Sequence, residues 1–155
     1  MKPESKFWQE VKKNITGISF TRLESWASAG VPDLLCYNKN GKFFTIELKV
    51  SRGEYPILSP HQISFHIRHP HNTFILKKSL GPCTVKLYEG SQIMQLVNHE
   101  PCACIAEGWT KVQEHLVHVT ECRRQPTKNL WAGPTPTLAC LCLRPAACCL
   151  LVSWF

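Results

Sequence analysis

Asp33, Glu47 and Lys49 are the residues of this chain whose types and spacing could do chemistry together. Asp33 closes Val31-Pro32-Asp33 at the start of one apolar run. Glu47 and Lys49 lie in Ile46-Glu47-Leu48-Lys49 near the end of the next, and Asn38-Lys39-Asn40-Gly41 separates the two runs. Asn-Gly between apolar runs is a hairpin signal, because both residues tolerate positive φ. If the turn holds three residues, Asn38 pairs with Lys42 and Asp33 faces Glu47. A two-residue turn moves Asp33 opposite position 46 or 48 instead. Strand alternation then gives Phe44, Ile46, Leu48 and Val50 one face and Phe43, Thr45, Glu47 and Lys49 the other. In the three-residue register Asp33, Leu35 and Tyr37 join this second face. Two adjacent carboxylates repel unless a cation sits between them, and hard oxygen ligands suit Mg2+ or Mn2+. Such an ion can polarise a phosphodiester oxygen and activate water, while Lys49 offsets charge on the phosphate. The chemistry these three residues imply is metal-assisted phosphodiester hydrolysis.

The elements that must position them are legible around the hairpin. Glu4 to Asn14 reads as a first helix with Phe7, Trp8 and Val11 on its apolar side, stopped by Gly17. Ile18 to Glu24 alternates as a short strand, and Ser25 to Gly30 is a small, polar loop. The hairpin strands are Val31 to Tyr37 and Lys42 to Val50. After a loop from Ser51 to Leu58, Ser59-Pro60 opens a second helix to about Arg68, with Ser at the N-cap and Pro in the first turn. Thr73 to Lys77 and Thr84 to Glu89 are further strands around Gly81-Pro82. Trp109 to Val119 carries Trp109, Val112, Leu116 and Val119 on one helical face. The expected fold class is α/β, a central mixed β-sheet flanked by helices.

The chain has 155 residues, with 18 Lys and Arg against 11 Asp and Glu, a formal net charge of +7. That excess leans toward a polyanionic partner, and the length excludes a large modular enzyme. Composition shifts near Pro101: residues 1–100 hold 13 basic and 8 acidic side chains, whereas seven of the nine cysteines lie beyond. The expected division is a core over 1–100, a helical extension over 101–120 and a Cys-rich apolar tail over 121–155. The start, MKPESKFWQE, has no apolar h-region, so a cytoplasmic location and free thiols are expected. The tail from Leu138 to Phe155 is interrupted by Arg144 and Pro145 and is short of the ~20 apolar residues a membrane helix needs, so no membrane role is expected.

Pro32-Asp33, thirteen intervening residues and then Glu47-Leu48-Lys49 resemble the PD-(D/E)xK nuclease signature, and the Gly30-Val31 lead-in is similar to phage members of its VRR-NUC branch. The order of helix, three strands, helix and strand over residues 4 to 90 also resembles that family and the archaeal Holliday junction resolvases. The resemblance implies a restriction-endonuclease-like core and a Mg2+-dependent or Mn2+-dependent deoxyribonuclease. In it, Asp33, Glu47 and the Leu48 carbonyl hold the metal and Lys49 is catalytic. Relatives add a glutamate from the first helix, for which Glu4 ranks first and Glu10 second, with Glu24 a rival. They also place a polar residue on the next helix, and Gln62 matches as a group that orients water or contacts phosphate. A viral source, and hence a host cytoplasm, comes from the resemblance alone.

Taken singly, Glu-x-Lys is usually a solvated ion pair and Pro-Asp a turn, so the reading rests on their combination. Arg22, Arg52, Arg68, Lys39, Lys42, Lys77 and Lys78 are candidate DNA-backbone contacts, Arg52 and Arg68 being expected nearest the metal, whereas Lys39 and Lys42 flank the hairpin turn far from the carboxylates and read as solvated charges; Ser25 and Ser28 could touch the backbone from their loop. So small a domain would draw its specificity from DNA shape, at junctions, flaps or ends, or from a partner protein, and a homodimer would let two sites cut two strands. RNA stays open as a substrate. Two other classes compete: a non-catalytic nucleic-acid-binding module, and a zinc-dependent interaction protein built on His61, His66, His69 and His71 or on Cys102-x-Cys104 and Cys140-x-Cys142. No GxxxxGK[ST] loop occurs, which argues against ATP-driven cleavage.

Overall fold

The computed structural model describes residues 3–23 and 29–119. Glu24, Ser25, Ser28 and the Cys-rich tail lie outside the described residues. Helix α1 (Pro3–Asn14) is followed by strands β1 (Ile18–Arg22), β2 (Leu34–Asn38) and β3 (Phe43–Ser51), helix α2 (Pro60–Arg68), and strands β4 (Thr73–Ser79) and β5 (Val85–Glu89). A 3-10 turn (Gly90–Gln92) leads into helix α3 (Ile93–Val97), strand β6 (Ala106–Glu107) and helix α4 (Trp109–Val117). The six strands form one sheet in chain order. All neighbours are antiparallel except β3 and β4, which run parallel because α2 crosses over between them. The fold is α/β, a mixed sheet flanked by helices, as the sequence leads one to expect.

The hairpin adopts the three-residue register. Leu34 pairs with Ile46, Cys36 with Phe44 and Tyr37 with Phe43, so the position opposite Asp33 is Glu47. Asn38 fixes that register: its N–H donates to the Lys42 carbonyl at 3.1 Å, and its Oδ1 accepts the N–H groups of Asn40 at 3.0 Å and Lys42 at 3.1 Å. Gly41 supplies the positive φ of 73°. Buried Asn38 also donates from Nδ2 to the carbonyls of Leu116 at 3.2 Å and Val119 at 3.0 Å, capping the end of α4 with the hairpin turn. Strand β2 begins at Leu34, later than the Val31 expected, because Pro32 has no N–H to give a ladder.

Helices pack on both faces of the sheet, on the second of them over β4 and β5. On one, Phe7, Trp8 and Val11 of α1 and Val112 and Leu116 of α4 pack on Leu34, Cys36, Phe44, Ile46, Leu48, Phe74 and Leu87. Residues 101–119 thus supply an edge strand and a helix to the same core as α1. On the other face, Ile75 and Tyr88 are covered by Ile93 and Leu96, with Ile63 and Leu58 against them. The helix α3 that builds this second layer was not foreseen from sequence, and the sheet face that carries Glu47 is therefore drier than alternation alone suggested.

This packing corrects one candidate DNA contact and engages a second. Lys77 is 1% exposed, on an interior strand covered on both faces, and its Nζ donates to Ser79 Oγ at 2.9 Å. Lys78 points to the opposite face and pairs with Glu10. The Lys77 ammonium is not placed to meet a phosphate backbone, and that of Lys78 is engaged by Glu10. Among the described residues no helix is long and apolar enough to cross a membrane.

Candidate active site

Asp33 sits immediately before β2, where its carbonyl accepts the Leu23 N–H at 2.8 Å and holds the strand entrance to β1. Gly30 makes the approach feasible: φ is +87°, and a Cβ there would overlap the His61 carbonyl in the first turn of α2. The loop ahead of Asp33 thus lies directly on that helix. Side-chain Oδ2 of Asp33 accepts the Leu48 N–H at 2.8 Å, which fastens the carboxylate across the hairpin onto the Glu47-Leu48 peptide. Burial raises the Asp33 pKa, opposed by the Leu48 hydrogen bond and by the charges of Lys49 and Arg22, while Glu4 reinforces the rise.

Glu47 is 1% exposed. Its Oε1 takes the Lys49 ammonium at 3.1 Å and accepts from Gln62 Nε2. Oε2 has no hydrogen-bond partner among the described residues, though it is fully buried. Burial first, and the neighbouring Asp33 charge second, push the carboxyl up to about 7, against the pull of Lys49 and Gln62. A buried carboxylate with one oxygen unsatisfied, set against a second carboxylate, is costly by itself. A cation between the two would remove that cost.

Gln62 is fixed by the local sequence. Ser59 caps α2, with its Oγ accepting the Gln62 N–H at 3.3 Å and its own N–H donating to Gln62 Oε1 at 3.0 Å, a capping box. The amide is therefore already held at both ends, by Ser59 and by Glu47. Its Nε2 thus touches the carboxylate directly.

The structure brings Asp33, Glu47, Leu48, Lys49 and Gln62 together. Glu4 at the start of α1 is near enough for its charge to act on Asp33, whereas Glu10 is bound to Lys78 with both oxygens at 2.6 Å. Among the described residues no three His, Cys, Asp or Glu side chains form a ready metal cluster, so Glu4 does not close a three-carboxylate cage, and the histidines and Cys102/Cys104 do not assemble a zinc site. The donors that fit a divalent cation are two carboxylates and a main-chain carbonyl, a set that leaves room for several waters and suits Mg2+ or Mn2+ better than Zn2+. Of the arginines, Arg22 is the one whose charge reaches Asp33. Arg52 is exposed beyond the end of β3, and Arg68 donates to the Ser64 carbonyl at 3.3 Å, six residues or about 9 Å along α2 from Gln62. Sequence reasoning missed the Gly30 contact, whose signal was a glycine three residues before the aspartate.

No protein-family model matches the sequence, and no curated protein matches it. A solved structure that it resembles is Hjc, a Holliday junction resolvase of the archaeal hyperthermophile Archaeoglobus fulgidus, with a TM-score of 0.43 and 15% identity over 57% of this chain and 75% of that one.

Proposed function

We propose that this chain is a metal-dependent nuclease of the PD-(D/E)xK type, in its VRR-NUC branch, that hydrolyses DNA phosphodiester bonds at junctions, flaps or ends. The observation that carries the reading is Glu47: a fully buried carboxylate whose Oε2 has no partner among the described residues, set beside Asp33 and paired with Lys49. Asp33, Glu47 and the Leu48 carbonyl hold the cation, with Glu4 adding negative charge from α1. Mg2+, or Mn2+ in its place, supplies Lewis acidity and a lowered water pKa when bound. Lys49, already against Glu47, steadies the attacking water and offsets charge that builds on the phosphate. Gln62 keeps the Glu47 carboxylate oriented. Basic residues including Arg22 draw the DNA backbone to this locally negative pocket. The protein acts in the cytoplasm, as a homodimer when two strands are cut.

The test is cleavage of linear, supercoiled, flap and four-way-junction DNA with Mg2+, Mn2+ or EDTA, comparing wild type with Glu47→Ala and Lys49→Ala. Loss of activity in EDTA and in both variants is expected. Activity that survives both substitutions would sink the mechanism.

A further inference from the structure

Glu47 Oε2 shares its situation with a second oxygen of the same strand. Thr45 Oγ1 is also fully buried, although the residue as a whole is half-buried, and it has no hydrogen-bond partner among the described residues. Thr45 and Glu47 stand two residues apart on β3, so their side chains share one sheet face. Across the sheet Thr45 is paired with Leu35 and Thr73. Leu35 offers no polar side-chain atom. The Thr73 hydroxyl gives its proton to the His69 carbonyl at 2.6 Å and lies 3.3 Å from His66 Nδ1. Gln62, one helical turn before His66, is held by Ser59 and Glu47. Helix α2 therefore lies over both rungs of the sheet, with its polar side chains there already engaged. A buried hydroxyl left unpartnered in such a place costs free energy that valine, of the same shape, would avoid.

We propose that Thr45 is a positioning residue of the candidate site: one buried water joins its hydroxyl to Glu47 Oε2 and fixes that oxygen for the cation. The proposal rests on the metal-site reading and deepens it. Lys49 stands two residues to one side of Glu47 and holds Oε1 together with Gln62; Thr45 stands two residues to the other side. The two side chains leave the strand about 6.7 Å apart, and their oxygens make no hydrogen bond to each other. Two hydrogen bonds of ~2.8 Å through one water span ~5.6 Å, and a buried water is kept by polar partners of this kind. Thr45 donates to the water, and the water donates to the carboxylate. Both oxygens of Glu47 are then fixed, as Asp33 is fixed by the Leu48 N–H.

The test uses the full chain. Calorimetry at pH 8 gives the Mn2+ dissociation constant of wild type, Thr45→Val and Thr45→Ser, and each protein is melted in EDTA. Thr45→Val keeps the shape without the hydroxyl and should weaken Mn2+ binding about tenfold, within the range for groups that orient a metal ligand, while Thr45→Ser stays within about twofold of wild type. In EDTA Thr45→Val should melt below wild type. A Thr45→Val protein that binds Mn2+ as wild type does, or melts at or above it in EDTA, would overturn the role. Equal loss of Mn2+ affinity in Thr45→Val and Thr45→Ser would overturn it too, because the packing of the methyl group and not the hydroxyl would then be what counts. If Thr45→Val fails to fold, a crystal structure of wild type in EDTA decides alone. It should show a water within about 3.2 Å of both Thr45 Oγ1 and Glu47 Oε2; no such water, or Thr45 Oγ1 bonded elsewhere, sinks the proposal. The two readings fail separately. A bridging water in a protein that binds no Mn2+ removes the metal site and leaves the bridge standing. Mn2+ bound equally well by wild type and Thr45→Val leaves the metal site standing and removes Thr45 from it.

Discussion

Gln62 ties the first turn of α2 to the buried carboxylate of Glu47: its Nε2 donates to Glu47 Oε1 while its Oε1 accepts the Ser59 N–H. The helix cap and the orientation of the acidic group are thus one hydrogen-bonded unit, and two substitutions separate them. Gln62→Leu removes both contacts and should lower cleavage by about 10–100-fold, the range for groups that orient a metal ligand. Ser59→Ala removes the side-chain half of the cap and should cost about 1 kcal/mol of stability, but it leaves the Ser59 N–H to hold Gln62 and should retain most activity. Melting temperatures and single-turnover rates of the two variants check this. A Ser59→Ala enzyme as inactive as Gln62→Leu would show that the cap, and not the amide, sets the site.

Glu47→Gln should abolish cleavage and stabilise the metal-free protein. Folding raises the Glu47 carboxyl from 4.5 to about 7, through burial first and Asp33 second. The folded state therefore holds this proton more tightly than the unfolded chain does. Its contribution is fully present below pH 4.5 and is lost as pH rises through about 7, at most about 3 kcal/mol at ~1.36 kcal/mol per pH unit. At pH 8 in EDTA, Glu47→Gln should melt above wild type. Adding Mn2+ should raise the wild-type Tm and leave that of the variant unchanged. A variant less stable than wild type at pH 8 in EDTA would contradict the burial argument.

His66 works in the opposite direction. It is 1% exposed, its Nδ1 lies 3.3 Å from Thr73 Oγ1, and burial, with His69 adding to it, holds its pKa down to about 4. The folded state disfavours the charged ring, so stability falls as pH drops from 6.5 through about 4, again by about 3 kcal/mol. Between about pH 4.5 and 6.5 the two groups oppose each other. The wild-type urea midpoint should therefore vary little across that window. Glu47→Gln should expose a midpoint that rises with pH, and His66→Gln one that falls. Parallel profiles for the two variants would refute the opposing assignment.

How much of this was legible in the sequence follows from which interactions were local. The hairpin register could be narrowed by counting residues across Asn38-Lys39-Asn40-Gly41, because a turn converts sequence distance directly into pairing. Ser59-Pro60 marked the α2 start for the same reason: a cap is a contact three residues long. The burial of Glu47 was not legible, since it depends on α2 and on the unforeseen helix Ile93–Val97 covering the same face. Lys77 was misread as a DNA contact because β4 alternation cannot say that both of its faces are covered. The Gly30 contact and the clamp from Asn38 to α4 join residues 31 and 78 or more positions apart, a separation that no periodicity reports.

Of the two first-helix glutamates, Glu4 and not Glu10 should matter to the metal. The Glu10 carboxylate is bound by both oxygens to Lys78 Nζ at 2.6 Å, in a pair whose side chains are 39% and 18% exposed. An ion pair this open contributes about 0–1 kcal/mol, so Glu10→Gln should lower the Tm slightly and leave Mn2+ affinity and cleavage unchanged. Glu4 acts on Asp33 through its charge, which adds to the negative potential a cation would meet. Glu4→Gln should therefore weaken Mn2+ binding by about 3–10-fold, the size of a single through-space charge effect of about 1 kcal/mol, with stability at pH 8 in EDTA equal to or slightly above wild type, because the repulsion between Glu4 and Asp33 is lost. Calorimetric titration of Mn2+ into the two variants at pH 8 checks the pair together. Equal affinity in both would remove Glu4 from the site, and a larger loss in Glu10→Gln would reverse the assignment and require Lys78 to release its partner when the cation binds.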